Sequence, residues 1–210
     1  MCGRFSLWSE KNRILSQFGL DTTPEFRNSY NIAPASTIPV IRYRGDKKEL
    51  ANCHWGLIPH WAKDKKHNPI NARAETITEK PFFRDAFKKR RCLIPANGFY
   101  EWHGSAGHKQ PYYFTLDNSE LFAFAGLWEY WEHPDEDIES CTIITTAANE
   151  TMSPIHDRMP VILDPDDYDS WLKGGAADLL KPYSKAMVSF PVNTFVNNPV
   201  NDGADLIAPR

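Results

Sequence analysis

Residues 90–102, RRCLIPANGFYEW, decide how the rest of the chain is read. Two short runs rich in β-forming residues, CLIPA and FYEW, flank Asn97-Gly98, a pair that tolerates positive φ and so predicts a tight turn between paired strands. Side chains alternate along a strand, which puts Phe99 and Glu101 on one face and Tyr100 and Trp102 on the other. A carboxylate among aromatics needs either a partner or a purpose, although most strand glutamates simply face solvent.

Outward from this segment, similar β-rich runs recur at TIPVIRY (37–43), CHWGLIP (53–59), PYYFTL (111–116), LFAFAGLW (121–128), CTIITT (141–146), PVILD (160–164) and AMVSFPV (186–192). Helical patterns are fewer and short: 9–18, 81–89, and 165–173, where Pro165 suits a first turn. Helices that rarely alternate with strands argue against βαβ winding. The expected fold is therefore α+β, a single compact domain over 1–210, built on mostly antiparallel, barrel-like sheet with a few short helices. The acidic stretch HPDEDIES (133–140) reads as a solvated loop.

The 210 residues carry a net charge of −3, which excludes coating nucleic acid by bulk positive charge and leaves only a local basic groove. No apolar run approaches the roughly 20 residues of a membrane-spanning helix, and MCGRFSLWSEKNR lacks a signal-peptide core. A cytoplasmic monomer is expected, nucleoid-associated where it binds DNA, with no membrane partner. The four cysteines, Cys2, Cys53, Cys92 and Cys141, are too widely spaced for a zinc or redox pair, so neither metal nor disulfide is expected. The last three sit in apolar or β-rich runs as small core residues. Glycine-rich phosphate loops, H-E-x-x-H and G-x-S-x-G are all missing from the sequence, which argues against nucleotide hydrolysis, zinc peptidase and serine hydrolase chemistry.

Met1-Cys2-Gly3 opens a different route. Removing Met1 exposes a 1,2-aminothiol whose α-amine, with a pKa of ~7.7–8.0 against ~10.4 for lysine, is about one-tenth unprotonated at neutral pH. Such an amine forms a Schiff base with an aldehyde, and the adjacent thiol closes a thiazolidine in an entropically favoured step. Cysteine at position two also arises by chance. His156, in SPIHDRMPVIL, is a titratable group suited to proton transfer, or a structural loop histidine. In INARAET, Asn71, Arg73 and Glu75 share a face if the segment is extended, as a polar site or as a salt-bridged surface. The basic runs KDKKH (63–67) and KKRR (88–91) are either solvated faces or tracks for a phosphodiester backbone. Trp55 and Trp61 in WGLIPHW both have rings that can stack on unpaired bases, but of seven tryptophans most must be core, and Trp61 beside the basic run is the candidate for base stacking.

MCGRFS, YNIAP, WGLIPHW, INARAET, RRCLIPANGFYEW, AGLWEYW, TIITTAAN, IHDRMPVIL and VNTFVNNPVNDG, taken in order, resemble the SOS response-associated peptidase (SRAP) family of abasic-site processing proteins across nearly the whole chain. The resemblance implies a compact β-rich fold that binds single-stranded DNA, or a single-strand/double-strand junction, and captures an abasic-site sugar as a thiazolidine. It assigns the nucleophile to Cys2, orientation to Asn71, proton shuttling to Glu101, and acid/base work in imine formation and reversal to His156. Arg4, Arg73 and Arg158 match phosphate-contacting arginines, Thr145 adds a phosphate hydrogen bond, and Pro34 with Trp61 resembles a wedge-and-stack pair. No cofactor is implied. The peptidase in the family's name refers to self-removal of Met1, and a lyase activity also fits. The chain departs from the family pattern at Ser36 and Asn97, where glutamine and aspartate are common. Two alternatives remain: an N-terminal-nucleophile cysteine amidase or peptidase, and a non-covalent single-strand binder.

Overall fold

The computed structural model of the chain describes residues 2–105, 107–117, 121–174 and 177–210; the expected loss of Met1 concerns a residue outside them. In chain order the strands are β1 (Phe5–Leu7), β2 (Ser29–Ile32), β3 (Thr37–Arg44), β4 (Lys47–Trp55), β5 (Asn71–Arg73), β6 (Arg91–Ala96), β7 (Gly98–His103), β8 (Gln110–Leu116), β9 (Phe122–Trp131), β10 (Ile138–Ala147), β11 (Arg158–Pro160), β12 (Ile162–Leu163) and β13 (Met187–Pro191). The helices are α1 (Lys11–Phe18), α2 (Arg84–Lys89) and α3 (Tyr168–Leu172). All three fall inside the segments expected from the sequence, and Pro165 opens the 3₁₀ turn that leads into α3.

Five strands close a ring. β4 pairs with β3, β3 with β6, β6 with β9 and β9 with β10, all antiparallel, and β10 returns to β4 in parallel. β5 and β11 extend β10 beyond the ring, and β12 joins β9. A second antiparallel sheet runs β13-β8-β7-β1-β2. Its inner face lies on the barrel: Phe5 meets Trp55 and Phe124 edge-on at 5.2 and 5.9 Å, and Phe99 meets Phe124 at 6.0 Å. Its outer face carries Tyr100 and Tyr113 into a smaller core with Val192, Val196 and Leu206. The alternation read from FYEW is therefore real, because both faces of β7 are covered. The α+β, mostly antiparallel, barrel-like expectation matches this fold.

The expected hairpin does not form. β6 gives its ladder to β3 and β9 while β7 pairs with β1 and β8, so Asn97-Gly98 carries the chain from one sheet to the other. Asn97 is buried: its Oδ1 accepts from Trp8 N at 2.9 Å and Ser9 Oγ at 3.2 Å, and its own N–H donates to Ser6 O at 2.9 Å. Gly98 is not in the left-handed region. It is required for space, since a Cβ there would sit 2.2 Å from Tyr113 Cζ and 2.7 Å from Phe114 O.

Two other expectations need correction. β4 begins at Lys47 rather than Cys53 and ends at Trp55, because Gly56 (φ +145°) turns the chain and donates to Cys141 O. The acidic loop stops before Ile138: Glu139 belongs to β10, where it accepts from the buried Arg42 at 2.7 and 2.9 Å, and the hydroxyl of buried Ser140 accepts from Ile58 N. Cys53, Cys92 and Cys141 are buried free thiols, as expected of core residues.

Gly98→Ala should therefore destabilise the fold by about 1–3 kcal/mol through overpacking. Gly45→Ala, where φ is +62° and no atom lies within 4 Å of the new Cβ, should cost only about 1 kcal/mol of backbone strain. Denaturant melts of the two variants check the order, and equal losses would contradict the steric reading.

Candidate active site

β1 brings the N-terminus to Glu101. Phe5 pairs with Phe99, and Tyr100 N–H donates to Arg4 O at 2.9 Å; carried two residues further, that register sets Gly3 across from Glu101. Cys2 is wholly buried at the end of this path. Burial, reinforced by the nearby Glu101 charge, holds its thiol far above the ordinary range, so the resting sulfur is protonated. Glu101 is 5% exposed, and burial pushes its carboxyl up to about 7. It thus titrates near neutrality, where a group can both take and return a proton.

His156 approaches from a turn that Asn149 organises. The Asn149 Oδ1 accepts from Met152 N at 3.0 Å, its Nδ2 donates to Tyr183 O at 2.9 Å, and His156 N closes the turn on Met152 O. The imidazole Nδ1 lies 2.9 Å from Arg158 N and 2.8 Å from Asp157 Oδ1. An amide N–H can only donate, so Nδ1 is its acceptor and the neutral ring carries its proton on Nε2. Burial keeps the imidazole below its usual value, against the opposing pull of the exposed Asp157 carboxylate.

Arg4, Glu101 and His156 line one cavity of about 960 Å³, together with Trp102, Lys109, Gln110, Thr194 and Asn197. Arg4 is partly a structural bracket, its Nη1 donating to Asn31 Oδ1 and Val196 O at 2.7 Å each, while its Nε is buried without a hydrogen-bond partner. A second group gathers on β10. Thr145 pairs with Arg73 of β5, and Arg158 reaches back to Thr145 O at 2.7 Å. Asn71 heads the same strand; its Nδ2 donates to Ile70 O, and its Oδ1 is buried with no partner. The Arg158 backbone bond to His156 joins the two groups.

INARAET is extended only over Asn71–Arg73. Ala74–Thr76 is a 3₁₀ turn, so Glu75 leaves the shared face and takes the Arg158 guanidinium in a bidentate ion pair at 2.8 and 3.0 Å. Thr145 is fully buried, its hydroxyl occupied by Ala72 O and Arg158. Trp61 is 51% exposed with one edge on Phe82, whereas Trp55 is core. Pro34 is exposed in a turn whose next residue, Ala35, has φ +66°, the one positive φ outside glycine among the described residues. Neither Trp61 nor Pro34 lines the cavity. In KKRR, Lys88 and Lys89 are exposed, whereas Arg90 pairs with Glu129 and Arg91 is buried between the rings of Phe87 and Trp171. In KDKKH, Lys65 pairs with Glu136.

Residues 1–199 match the family model described as SOS response associated peptidase (SRAP). This chain belongs to the SRAP family. It is 47% identical to the abasic site processing protein YoaM of Bacillus subtilis (strain 168), over 99% of this chain and 97% of that one. It is 45% identical to YoqW, an abasic site processing protein of the same strain, over 99% of each. A further relative is the abasic site processing protein HMCES of Xenopus tropicalis, 34% identical over 88% of this chain and 67% of that one. A crystal structure of a Bacteroides thetaiotaomicron protein superposes with a TM-score of 0.85 at 28% identity, each chain fully covered. No helix among the described residues of this SRAP chain is long and apolar enough to cross a membrane.

Sequence reasoning missed three parts of the candidate site: Asn149, which shapes the His156 turn, and Trp102 and Lys109, which wall the cavity. Asn149 was legible as a turn-forming residue four before a proline-bounded run. Lys109 carried no signal, because only the folding back of β8 on β7 brings it to Glu101.

The Glu101 carboxyl binds its proton more tightly folded than unfolded. Between about pH 4.5 and 7 the native state holds the extra proton, so stability falls as pH rises through that window and levels above it, by roughly 3 kcal/mol at most. Denaturant melts at pH 5 and pH 8 should show this loss, and Glu101→Gln should remove most of it; an unchanged difference in the variant would place the titration elsewhere.

Proposed function

We propose that this protein captures the aldehyde of an abasic site in single-stranded DNA, or at a single-strand/double-strand junction, as a covalent thiazolidine on Cys2. The observation that carries the reading is the buried N-terminal cysteine beside a carboxyl that titrates near 7, on a cavity shared with a neutral histidine. The relatives' description as abasic site processing proteins supports it.

Loss of Met1 turns the Cys2 nitrogen from an amide into a primary amine. That amine, relieved of its proton by ionised Glu101, attacks the aldehyde carbon, and the carbinolamine oxygen leaves as water after accepting a proton from His156 Nε2–H or from Glu101. The resulting imine is the electrophile for sulfur. Because the thiol is protonated at rest, it closes the ring by forming the S–C bond while its proton passes to the imine nitrogen. Reversal follows the same groups backwards. The same sulfur, attacking the Met1 carbonyl, would expel the Cys2 amine and hand methionine to water as a thioester. That is the self-removal reaction, and a lyase activity would branch from the imine.

Asn71 Oδ1 is an acceptor suited to a sugar hydroxyl or to the amine. Arg73, Arg158 and Arg4 supply phosphate contacts, and Thr145 acts by holding Arg158. Trp61 and the strained Pro34-Ala35 turn are the stacking and wedging surfaces outside the cavity.

The mature protein mixed with an abasic oligonucleotide should gain the oligonucleotide's mass less one water, in a heat-stable adduct. Cys2→Ala should abolish that adduct and change non-covalent affinity less than about twofold. A heat-stable adduct surviving in Cys2→Ala, or one formed by protein that retains Met1, would refute the reading. A second prediction follows from the Arg158–Glu75 pair. Glu75→Gln frees the guanidinium fork from a competing carboxylate, which is worth ~0.5–1 kcal/mol at an exposed site, so single-strand affinity should rise about two- to fivefold in a binding titration.

A further inference from the structure

The cavity that holds Glu101 and His156 extends well beyond the space an abasic sugar occupies. At about 960 Å³ it stands at the upper end of the ~300–1,000 Å³ typical of small-molecule sites. It runs past the carboxylate to the β7–β8 turn, where Lys109 and Gln110 form its far wall. Two cations, Arg4 and Lys109, face a single acid, Glu101, across it, so the space suits an anion. Lys109 acts on the Glu101 carboxyl through charge alone, and the Arg4 Nε is buried without a hydrogen-bond partner. The base of the turn is fixed: Gln110 Nε2 donates to Pro111 O and Val192 O at 2.8 Å each, and Gly104 (φ +112°) packs where a Cβ would lie 2.6 Å from His108 O.

We infer that this outer half of the cavity is the subsite for the nucleotide next to the abasic sugar, with the Lys109 ammonium on its phosphate. The inference rests on the abasic-capture reading above. A sugar inside a strand carries a phosphate on each side, and an abasic sugar has no base by which to be held. Arg73 and Arg158, on β5 and β11, do not line this cavity, so a phosphate placed in it meets other cations. These are Lys109 and Arg4. A point charge presented on a short turn follows a flexible backbone without demanding bidentate geometry, which is what a lysine contributes to such a contact.

The test uses the mature protein and oligonucleotides with a tetrahydrofuran abasic analogue, which cannot react, placed internally, at the 3′ end or at the 5′ end. Lys109→Ala should weaken binding of the internal analogue about fivefold, and Lys109→Arg should restore most of it. With one of the two terminal analogues, which lacks the phosphate on that side, wild type and Lys109→Ala should bind equally. The inference is overturned if Lys109→Ala binds the internal analogue as wild type does, or if it loses as much on both terminal analogues as on the internal one. Reaction of wild type with a genuine abasic oligonucleotide is scored separately: no adduct there refutes covalent capture, while the affinity comparison still decides the Lys109 subsite.

Discussion

The antiparallel pairing of β1 with β7 is the constraint on which the site depends. It spans two residue pairs and continues through the Tyr100 N–H to Arg4 O bond, and a slip of one residue would move Phe5 from the barrel face to the tyrosine face. Two features prevent the slip. Phe5 and Phe99 are both keyed against Phe124 on the barrel side. Asn97 clamps the other end of β1, accepting from Trp8 N and Ser9 Oγ and donating to Ser6 O. A buried amide with all these partners specifies one register, since in any other its polar atoms would be left unpaired at a cost of ~1–3 kcal/mol each. The N-terminus then has one place to go, beside Glu101.

That constraint explains both what the sequence disclosed and what it concealed. Strand-forming runs and the three helices were legible because they rest on local periodicity and on Pro165. The reading of Asn97-Gly98 found the right residues for the wrong reason. Both residues matter where they stand, but the cause is tertiary: a buried hydrogen-bond clamp at Asn97 and the Tyr113 ring against Gly98. Local turn chemistry cannot distinguish a hairpin from a crossing between sheets, because the partners of β6 and β7 lie tens of residues away. Glu75 and the two arginines of KKRR, whose roles the sequence left open, were decided by equally distant partners. A strand that ends at Arg73 and a helix packed on Trp171 turn apparent surface charges into ion pairs and ring contacts. The candidate site itself was legible at Cys2, Glu101 and His156 through the family resemblance, and at Lys109 not at all.

The site also stores unfavourable free energy. A carboxyl is buried until it titrates near 7, Asn71 Oδ1 and Arg4 Nε lack partners, and Ala35 sits at positive φ. Each costs of order 1–3 kcal/mol, and the barrel, whose core is continuous from Cys2 to Leu172, is the part of the molecule able to offset it. Sites that must exchange protons or accept a ligand's polar atoms are held this way, since a fully satisfied site has nothing to offer a substrate.

The protonation states fit a sequence of events rather than a single poised nucleophile. A thiolate at rest would compete with the amine for the aldehyde and would be open to oxidation. Burial beside Glu101 keeps the sulfur protonated, so on the proposed chemistry the amine reacts first. The imine that follows sets a basic nitrogen beside the sulfur, a destination for the thiol proton that did not exist before. Arg158 ties this to the strand outside: its backbone N–H fixes the His156 tautomer while its guanidinium is held by Glu75 and Thr145. On the proposed chemistry a phosphate comes to Arg158 as it stands, because moving that residue's backbone would release the bond that fixes the His156 ring.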